Sequence, residues 1–190
     1  MSLTLAQERE MKQDRSLVLA RTQITINAPV QGVWQVLAED FAAIGKWSSG
    51  VDYSEGSGEG INGSKHTERA CKISAMGFSD TKERILQYDK NRTLRYSLYH
   101  GLPGFVISAE NTWTLEELDS HTTRVIGQTK MYVKGVMGFV FRGMMRNNLN
   151  RVLAEMAEEV KYYIEYGKPH PQKIKAIAKY EKKLAKQSPS

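Results

Sequence analysis

The residue best placed to do chemistry in this sequence is Glu83, a carboxylate within a strand-like stretch. Residues 78–88 alternate with the two-residue period of a β-strand, which places Glu83 on one face with Thr81, Ile85 and Gln87. If the Ile85 face is buried, the carboxylate needs a partner or a raised pKa, as is typical of groups that bind polar ligands or transfer protons. The alternative is that Glu83 pairs with a lysine or arginine on a neighbouring strand.

Further candidates lie on the longest strand-like segment, residues 106–118. Its alternation places Asn111 and Trp113 on one face, together with Ile107, Ala109 and Leu115. Asn111 in an apolar setting must find a hydrogen bond, so a contact to a ligand or to bound water is one interpretation. For Trp113 packing in a core is the favoured interpretation, and a place in the cavity is the alternative. Other side chains could act as general acids or bases, namely Tyr96, Tyr99, His66 and His100.

No catalytic or metal-binding arrangement connects these residues. Their spacing does not specify a Ser/His/Asp or Cys/His set, and the four histidines are scattered over strands and loops. The single cysteine, Cys71, excludes an internal disulfide and is interpreted as a small apolar residue on a strand. Glycines 56, 58 and 60 precede a strand-like segment rather than a helix, which favours a hairpin loop over a phosphate-binding loop. We therefore predict no metal and no cofactor, and catalytic residues stay unassigned.

The elements that position these residues begin with a strand and two short helices. Residues 22–27 alternate as a strand with one buried face, and Pro29 suits the first turn of a helix. Apolar residues then recur at helical spacing from Val33 to Leu37. Asp40 can cap a second short helix that runs to Trp47.

Strand-like segments fill the middle of the chain, at residues 51–54, 65–74, 78–88, 93–100, 106–118 and 122–134. The breaks between them carry turn residues, as in Ala75-Met-Gly77 and Asp89-Lys-Asn91. Connections this short join antiparallel neighbours. The pattern therefore predicts a curved antiparallel meander.

The final helix has the strongest periodic signal in the chain. Its apolar residues step by four and three along one stripe, which consists of Phe141, Met145, Leu149, Val152, Met156, Val160 and Tyr163, with Leu153 and Ile164 widening it. Gly167 and Pro169 are the residues expected where a helix stops. At about 1.5 Å per residue the helix is roughly 40 Å long, enough to cross a whole sheet. Its apolar face either fills the concave side of that sheet or encloses a cavity there.

Length and composition are those of one globular domain. The chain has 190 residues, of which 41% are apolar and 25% charged. No apolar run approaches the roughly 20 residues that span a bilayer. The polar N-terminus, residues 1–15, does not resemble a signal peptide, and with one cysteine this predicts a reducing cytoplasm.

The net charge of +6 belongs to the C-terminal tail. Residues 168–190 contain seven of the 27 basic residues and one of the 21 acidic residues, which leaves 20 of each in residues 1–167. A neutral body argues against a domain that reads nucleic acid.

The tail itself reads as a basic amphipathic helix. Five lysines fall on one side (Lys175, Lys179, Lys182, Lys183 and Lys186), and Ile174, Ile177 and Leu184 lie opposite. Such a helix is compatible with weak contact to an anionic membrane surface or an acidic partner, and the alternative is a solvated, partly frayed helix. We expect a partly ordered leader at residues 1–18, a ligand-binding domain at 19–167 and the basic helical tail at 168–190. Oligomeric state is left open.

An ordered set of short motifs between Arg21 and Gly167 resembles the SRPBCC superfamily, which includes the START, Bet v 1-like and polyketide cyclase/dehydrase-like proteins. The motifs are Ile24-x-Ile-Asn-Ala-Pro29, Val33-Trp34-x-x-Leu37, Asp40-Phe41, Trp47, Gly63-Ser64, Glu83-Arg84-Ile85-x-x-Tyr88-Asp89, Trp113 and Thr123-Arg124-Val125. The resemblance, to the polyketide cyclase/dehydrase-like branch in particular, implies an α+β helix-grip fold. In that fold a curved seven-stranded antiparallel sheet wraps around a long C-terminal helix, two short helices follow the first strand, and an apolar cavity is enclosed.

On such a fold we expect a small hydrophobic ligand, lipid-like or polyketide-like, in the cavity. The predicted contacts are Phe41, Trp47, Glu83, Tyr96, Asn111, Trp113, Met131, Phe141, Met145, Leu149 and Val152. The function implied is binding, transport or sensing of that ligand. The alternative is an enzyme of the polyketide cyclase or aromatase type, in which Glu83, Asn111 and a tyrosine would supply the acid–base and orienting groups.

Overall fold

The computed structural model describes residue 14, residues 16–73 and residues 80–187. Strand β1 (Leu17–Ile26) leads into helix α1 (Val30–Trp34), a π-helical turn (Gln35–Glu39) and a 3₁₀ helix (Phe41–Lys46). Six strands follow: β2 (Val51–Ser57), β3 (Glu68–Ile73), β4 (Thr81–Asp89), β5 (Thr93–His100), β6 (Val106–Asp119) and β7 (Thr122–Val133). The chain continues with helices α2 (Gly135–Val140), α3 (Arg142–Tyr166) and α4 (Pro171–Gln187).

The seven strands form one antiparallel sheet in the order β1-β7-β6-β5-β4-β3-β2. Strands β2 to β7 are a meander, and β1 joins the sheet beside β7. With the long C-terminal helix and the short helical turns after β1, this confirms the predicted helix-grip architecture. Most of the predicted leader and the predicted turn at residues 75–77 lie outside the described residues.

Two β-bulges change which side chains face inward. The register between β6 and β7 shifts between Val106 and Ser108, so Val106 is buried and Ile107 is exposed. The prediction that Ile107 shares the inner face with Asn111 is therefore wrong. A second shift in β4, between Ile85 and Gln87, brings Tyr88 into the core in place of Gln87.

The 3₁₀ helix closes one end of the sheet with buried aromatic and apolar side chains. Phe41, Ile44 and Trp47 are all buried, as predicted for this segment. Asp40 precedes the helix but makes no side-chain cap, contrary to prediction. Its carboxylate instead forms an ion pair with Lys65.

Helix α3 lies along β1, the edge strand of the sheet, and occupies three of its backbone groups. The Arg21 N–H donates to Oδ1 of Asn150 (3.2 Å), and the Asn27 N–H donates to Oε1 of Glu165 (2.7 Å). The ammonium of Lys161 donates to the carbonyl oxygen of Thr25 at 2.6 Å. These bonds satisfy edge groups that would otherwise be open to pairing with another chain.

The buried side of α3 is turned relative to the predicted stripe. Leu153, Ala157 and Val160 are buried, whereas Phe141 and Val152 are 39% and 40% exposed. The helix ends as predicted at Gly167, which adopts a left-handed conformation with φ of 66°.

Trp113 packs where the sheet has no opposing side chain. Its cross-strand partner on β7 is Gly127. A Cβ atom at Gly127 would lie 2.7 Å from Cζ3 of Trp113 and 3.1 Å from Cγ2 of Thr22. The position of the indole ring therefore depends on the absence of a side chain at residue 127.

We predict that Gly127→Ala lowers the free energy of unfolding by about 1–3 kcal/mol, because the Trp113 ring must shift in a filled core. Urea unfolding measures the change. Gly32→Ala in α1 is the matched control, since no atom lies within 4 Å of the added Cβ there, and it should leave stability unchanged or slightly raised. Equal effects of the two substitutions would contradict the packing argument.

Candidate functional site

A buried ion pair stands on the inner face of the sheet, where Arg69 of β3 lies directly across from Glu83 of β4. Nε of Arg69 donates to the Glu83 carboxylate, and the two side chains are only 3% and 8% exposed. Nη1 of Arg69 also donates to the carbonyl oxygen of Phe41 at 2.7 Å. One guanidinium thus ties two strands to the 3₁₀ helix.

Two aromatic rings cover the guanidinium. Its Cζ atom lies 3.9 Å from the ring centroid of Phe41 and 4.8 Å from that of Tyr96. Burial by itself lowers the pKa of Arg69, but attraction to Glu83 and neighbouring groups outweighs burial, so the pKa ends above its ordinary value. The arginine is therefore a permanent cation within the core. Burial also raises the pKa of the Tyr96 phenol.

Arg69 is the residue that the sequence analysis did not single out. Its signal was available, because Arg69 alternates with Cys71 and Ile73 on an inward-facing strand. Pairing with an arginine on a neighbouring strand was the stated alternative for Glu83, and that pairing is present. A ligand contact for Glu83 stays a prediction.

Cys71 adjoins this pair and carries an unreactive thiol. The residue is buried, and its burial raises the pKa of the thiol to about 12, with Arg69 lowering and Glu83 raising it by smaller amounts. Because the thiolate is the nucleophilic form, this cysteine behaves as a small apolar residue at neutral pH.

A second polar pair lies on the inner face, on strands β6 and β7. Asn111 of β6 and Thr129 of β7 are cross-strand neighbours. The Thr129 hydroxyl donates to Oδ1 of Asn111 at 2.6 Å, and Asn111 is half-buried. Asn111 has thus found a hydrogen bond within the sheet.

The predicted ligand contacts fall into three groups by depth. The buried ones are Phe41, Trp47, Glu83, Tyr96, Trp113 and Met131. The half-buried ones are Asn111, Met145 and Leu149, while Phe141 and Val152 are exposed. The apolar members of the buried group belong to one packed core cluster, so side chains fill this part of the interior. A cavity beside Trp47 and Tyr163 measures about 40 Å³, which is room for little more than one water molecule.

The tail helix α4 is held to the body by one buried lysine. Nζ of Lys173 donates to the carbonyl oxygen of Val51 at 2.6 Å. Burial lowers the pKa of Lys173, and the Asp52 and Glu159 carboxylates oppose that shift. Beyond it, an open groove of about 990 Å³ runs between the helix and residues Ser49 and Asp52, and five lysines line it: Lys175, Lys179, Lys182, Lys183 and Lys186. Contact of this tail with a membrane or partner stays a prediction.

Across the described part of the chain, no three His, Cys, Asp or Glu side chains come together as metal ligands. Within the same residues, no helix combines the length and apolarity needed to cross a bilayer.

A curved antiparallel sheet closed by a long C-terminal helix, with a largely apolar inner face, defines a helix-grip α+β protein. Residues 18–165 match the family described as polyketide cyclase/dehydrase and lipid transport, and the chain belongs to that family. No curated protein matches the sequence.

Solved structures of low sequence identity share the fold. A START superfamily protein from Mycobacterium smegmatis is 15% identical, with a TM-score of 0.56 and coverage of 75% of this chain and 98% of that one. The aromatase/cyclase Zhui from Streptomyces sp. R1128 is 14% identical, with a TM-score of 0.59 over 81% and 99%. A norcoclaurine synthase from Thalictrum flavum is 11% identical, with a TM-score of 0.58 over 78% and 94%. At these identities the likeness establishes the fold alone.

We predict that Glu83→Ala lowers the free energy of unfolding by about 3–5 kcal/mol, because it leaves the Arg69 charge buried without its partner. The double variant Arg69→Met/Glu83→Leu should recover most of that loss, since it removes both charges and keeps the volume. Urea unfolding of Arg69→Met, of Glu83→Leu and of the double variant gives the coupling between the two side chains.

The neighbouring pair on the same two strands is the control. Glu68 and Arg84 lie across from each other with side chains pointing to the opposite, solvated face. Glu68→Ala should change stability far less, because water screens an exposed pair. If both glutamates proved equally costly to remove, burial would not be the reason.

We also predict that Cys71 resists thiol reagents in the native protein. With a pKa of about 12, only about one thiol in ten thousand is ionised at pH 8. Labelling with Ellman's reagent should be at least about a hundredfold slower than in urea. The exposed neighbour tests the assay, because Cys71→Ser/Lys72→Cys should label quickly. Rapid labelling of native Cys71 would mean that the inner face of β3 opens readily.

Proposed function

We propose that this protein binds a small, mainly apolar molecule between the inner face of the sheet and helix α3. The observation that carries the proposal is a gradient of access along the inner face of β6. Trp113 is buried, whereas Asn111, two residues away on the same face, is half-buried. Solvent therefore reaches the inner face at Asn111, and an apolar molecule can do the same by displacing it.

The half-buried residues supply suitable walls for this space. Leu102, Met145 and Leu149 are partly buried and pack against the core. Methionine and leucine side chains adapt to ligands of varied shape, because they rotate freely and carry no strong polar group. The amide of Asn111, already oriented by Thr129, offers the polar contact that would fix a ligand's orientation.

Binding has more support than catalysis because the interior carboxylate is engaged. An acid–base role for Glu83 requires an oxygen that can exchange a proton with substrate. That carboxylate instead forms an ion pair with Arg69, beneath the rings of Phe41 and Tyr96. We assign the pair to the wall of the site, where it shapes the closed end.

We expect cis-parinaric acid, a fluorescent fatty acid, to bind the purified protein and to be displaced by unlabelled fatty acids. Leu149→Asp should weaken probe binding at least about tenfold, because a carboxylate facing the ligand space must be desolvated without a partner. Val152→Asp, three residues along the same helix and largely exposed, should leave the affinity unchanged. Fluorescence titration measures both.

Thermal unfolding by circular dichroism checks that each variant folds. Leu149→Trp, which fills the space without adding charge, replaces Leu149→Asp if the latter unfolds, and it should also weaken binding. Equal losses at Leu149 and Val152 would place the ligand elsewhere. No binding by the wild-type protein, together with native mass spectra that contain protein alone, would contradict the proposed function.

A further inference from the structure

Helix α2 turns three apolar side chains toward solvent. Val136, Phe139 and Val140 are 78%, 55% and 65% exposed. Their spacing of three and four residues places them on one face of the helix. Exposed apolar residues also flank α2 in space or sequence: Phe141 and Met144 at the start of α3, and Phe105 and Ile107 at the start of β6. We call these seven residues the α2 patch.

The exposure follows from how α2 is seated on the sheet. A Cβ atom at Gly138 would lie 3.0 Å from Cβ of Val133 and 3.6 Å from the carbonyl oxygen of Phe105. The side of α2 that meets the sheet is thus a glycine, so the larger side chains of the helix point away. The same Phe105 carbonyl accepts the Lys134 N–H at 2.8 Å, which holds the base of α2 against the β6 end.

Single exposed apolar residues are ordinary, but a group of seven is not. A group of exposed apolar residues in one part of a folded protein marks a place that contacts another apolar surface. The proposed interior ligand does not account for it, because the face of α2 points outward from the sheet.

The charges around the patch identify that surface. Between Asp119 and Glu155 the sequence has no acidic residue, and the basic residues next to α2 in that stretch are Lys134, Arg142 and Arg146. Lys134 immediately precedes α2, and Arg142 and Arg146 follow it within the first turns of α3. Apolar side chains ringed by cations match an anionic bilayer, in which acyl chains lie beneath negatively charged headgroups.

We propose that the α2 patch docks on anionic membrane surfaces, with Phe139 and Val140 entering below the headgroups and Lys134, Arg142 and Arg146 contacting lipid phosphates. This surface is distinct from the lysine-rich tail. Helix α3 has 25 residues, so α2 and α4 are joined to opposite ends of a rod roughly 37 Å long.

The first experiment is co-sedimentation with vesicles of phosphatidylcholine containing about one third phosphatidylglycerol. The double variant Phe139→Ser/Val140→Ser should bind at least about tenfold more weakly than the wild-type protein, because it removes apolar surface from the bilayer. The matched control is Ile174→Ser/Ile177→Ser in α4, which removes two exposed apolar residues from the other basic surface. It should bind as the wild type does. Loss of binding in the α4 variant alone would overturn the proposal in favour of tail docking.

The second experiment reports insertion directly. All three native tryptophans, Trp34, Trp47 and Trp113, are buried, so Phe139→Trp adds the one indole on the protein surface among the described residues. Its emission should shift to shorter wavelength with anionic vesicles and be quenched by brominated lipids. An unchanged emission under these conditions would overturn the proposal.

Two further measurements test the role of the cations and self-association of the protein. Arg146→Glu should weaken vesicle binding, and salt should do the same, since phosphate contacts are screened. Equal affinity for pure phosphatidylcholine vesicles would overturn the assigned role of the cations. Sedimentation velocity without lipid measures self-association. If the wild-type protein formed a dimer and bound no vesicles, and Phe139→Ser/Val140→Ser abolished the dimer, the partner of the α2 patch would be a second copy of the chain instead of a bilayer.

Discussion

A charged pair can lie inside a sheet only while other groups replace the water that it has lost. For Arg69 and Glu83 those groups are the carbonyl of Phe41 and the rings of Phe41 and Tyr96. The carbonyl and the ring of Phe41 both belong to the 3₁₀ helix, so the helix and the ion pair fix each other's position. The closed end of the interior, the curvature of β3 and β4 and the burial of Cys71 depend on this arrangement. It gives the fold a rigid end, from which the other parts of the sheet extend.

The sequence was sufficient for the order of elements, because periodicity and turn residues act locally. The seven strands, the antiparallel neighbours and the end of α3 at Gly167 all follow from such signals. The sequence predicted less reliably which face of the sheet each side chain occupies. A single bulge inverts alternation, and the bulge between Val106 and Ser108 sent Ile107 outward, although no residue type marks it in the sequence.

The candidate site was predictable only in part, for a related reason. Glu83 could be identified by its alternation, but its partner depends on the pairing register of β3 and β4, which the sequence does not state. The depth of the α3 residues was also out of reach. Helical spacing defines a stripe, but the rotation of that stripe is set by the contacts with β1, and these leave Val152 exposed and bury Leu153. Only the structure therefore shows which half of the interior is filled by side chains.

The two ends of α3 are attached very differently. Toward its C-terminus the helix is bound to β1 through Lys161 and Glu165 and is capped at Gly167. Toward its N-terminus the Arg21 N–H donates to Asn150, and the turns before Asn150 carry Met145 and Leu149, which are half-buried against the core. Exposing those two side chains completely would cost roughly 1 kcal/mol each. The N-terminal turns of α3 therefore carry less deeply buried side chains than the later turns with Leu153, Ala157 and Val160.

The N-terminal half of α3 begins directly at the α2 patch, since Phe141 is both the residue before α3 and a member of the patch. A surface that holds α2 therefore acts on the least attached turns of α3, and the half-buried inner face at Asn111 is the region that those turns would uncover. The rigid end at Arg69 and Glu83 lies away from this movement, because its contacts are made to the 3₁₀ helix and not to α3. Opening at one end is then compatible with a charged pair that stays sealed at the other. This difference between the two ends of the interior follows from the positions of the strong polar contacts along the chain.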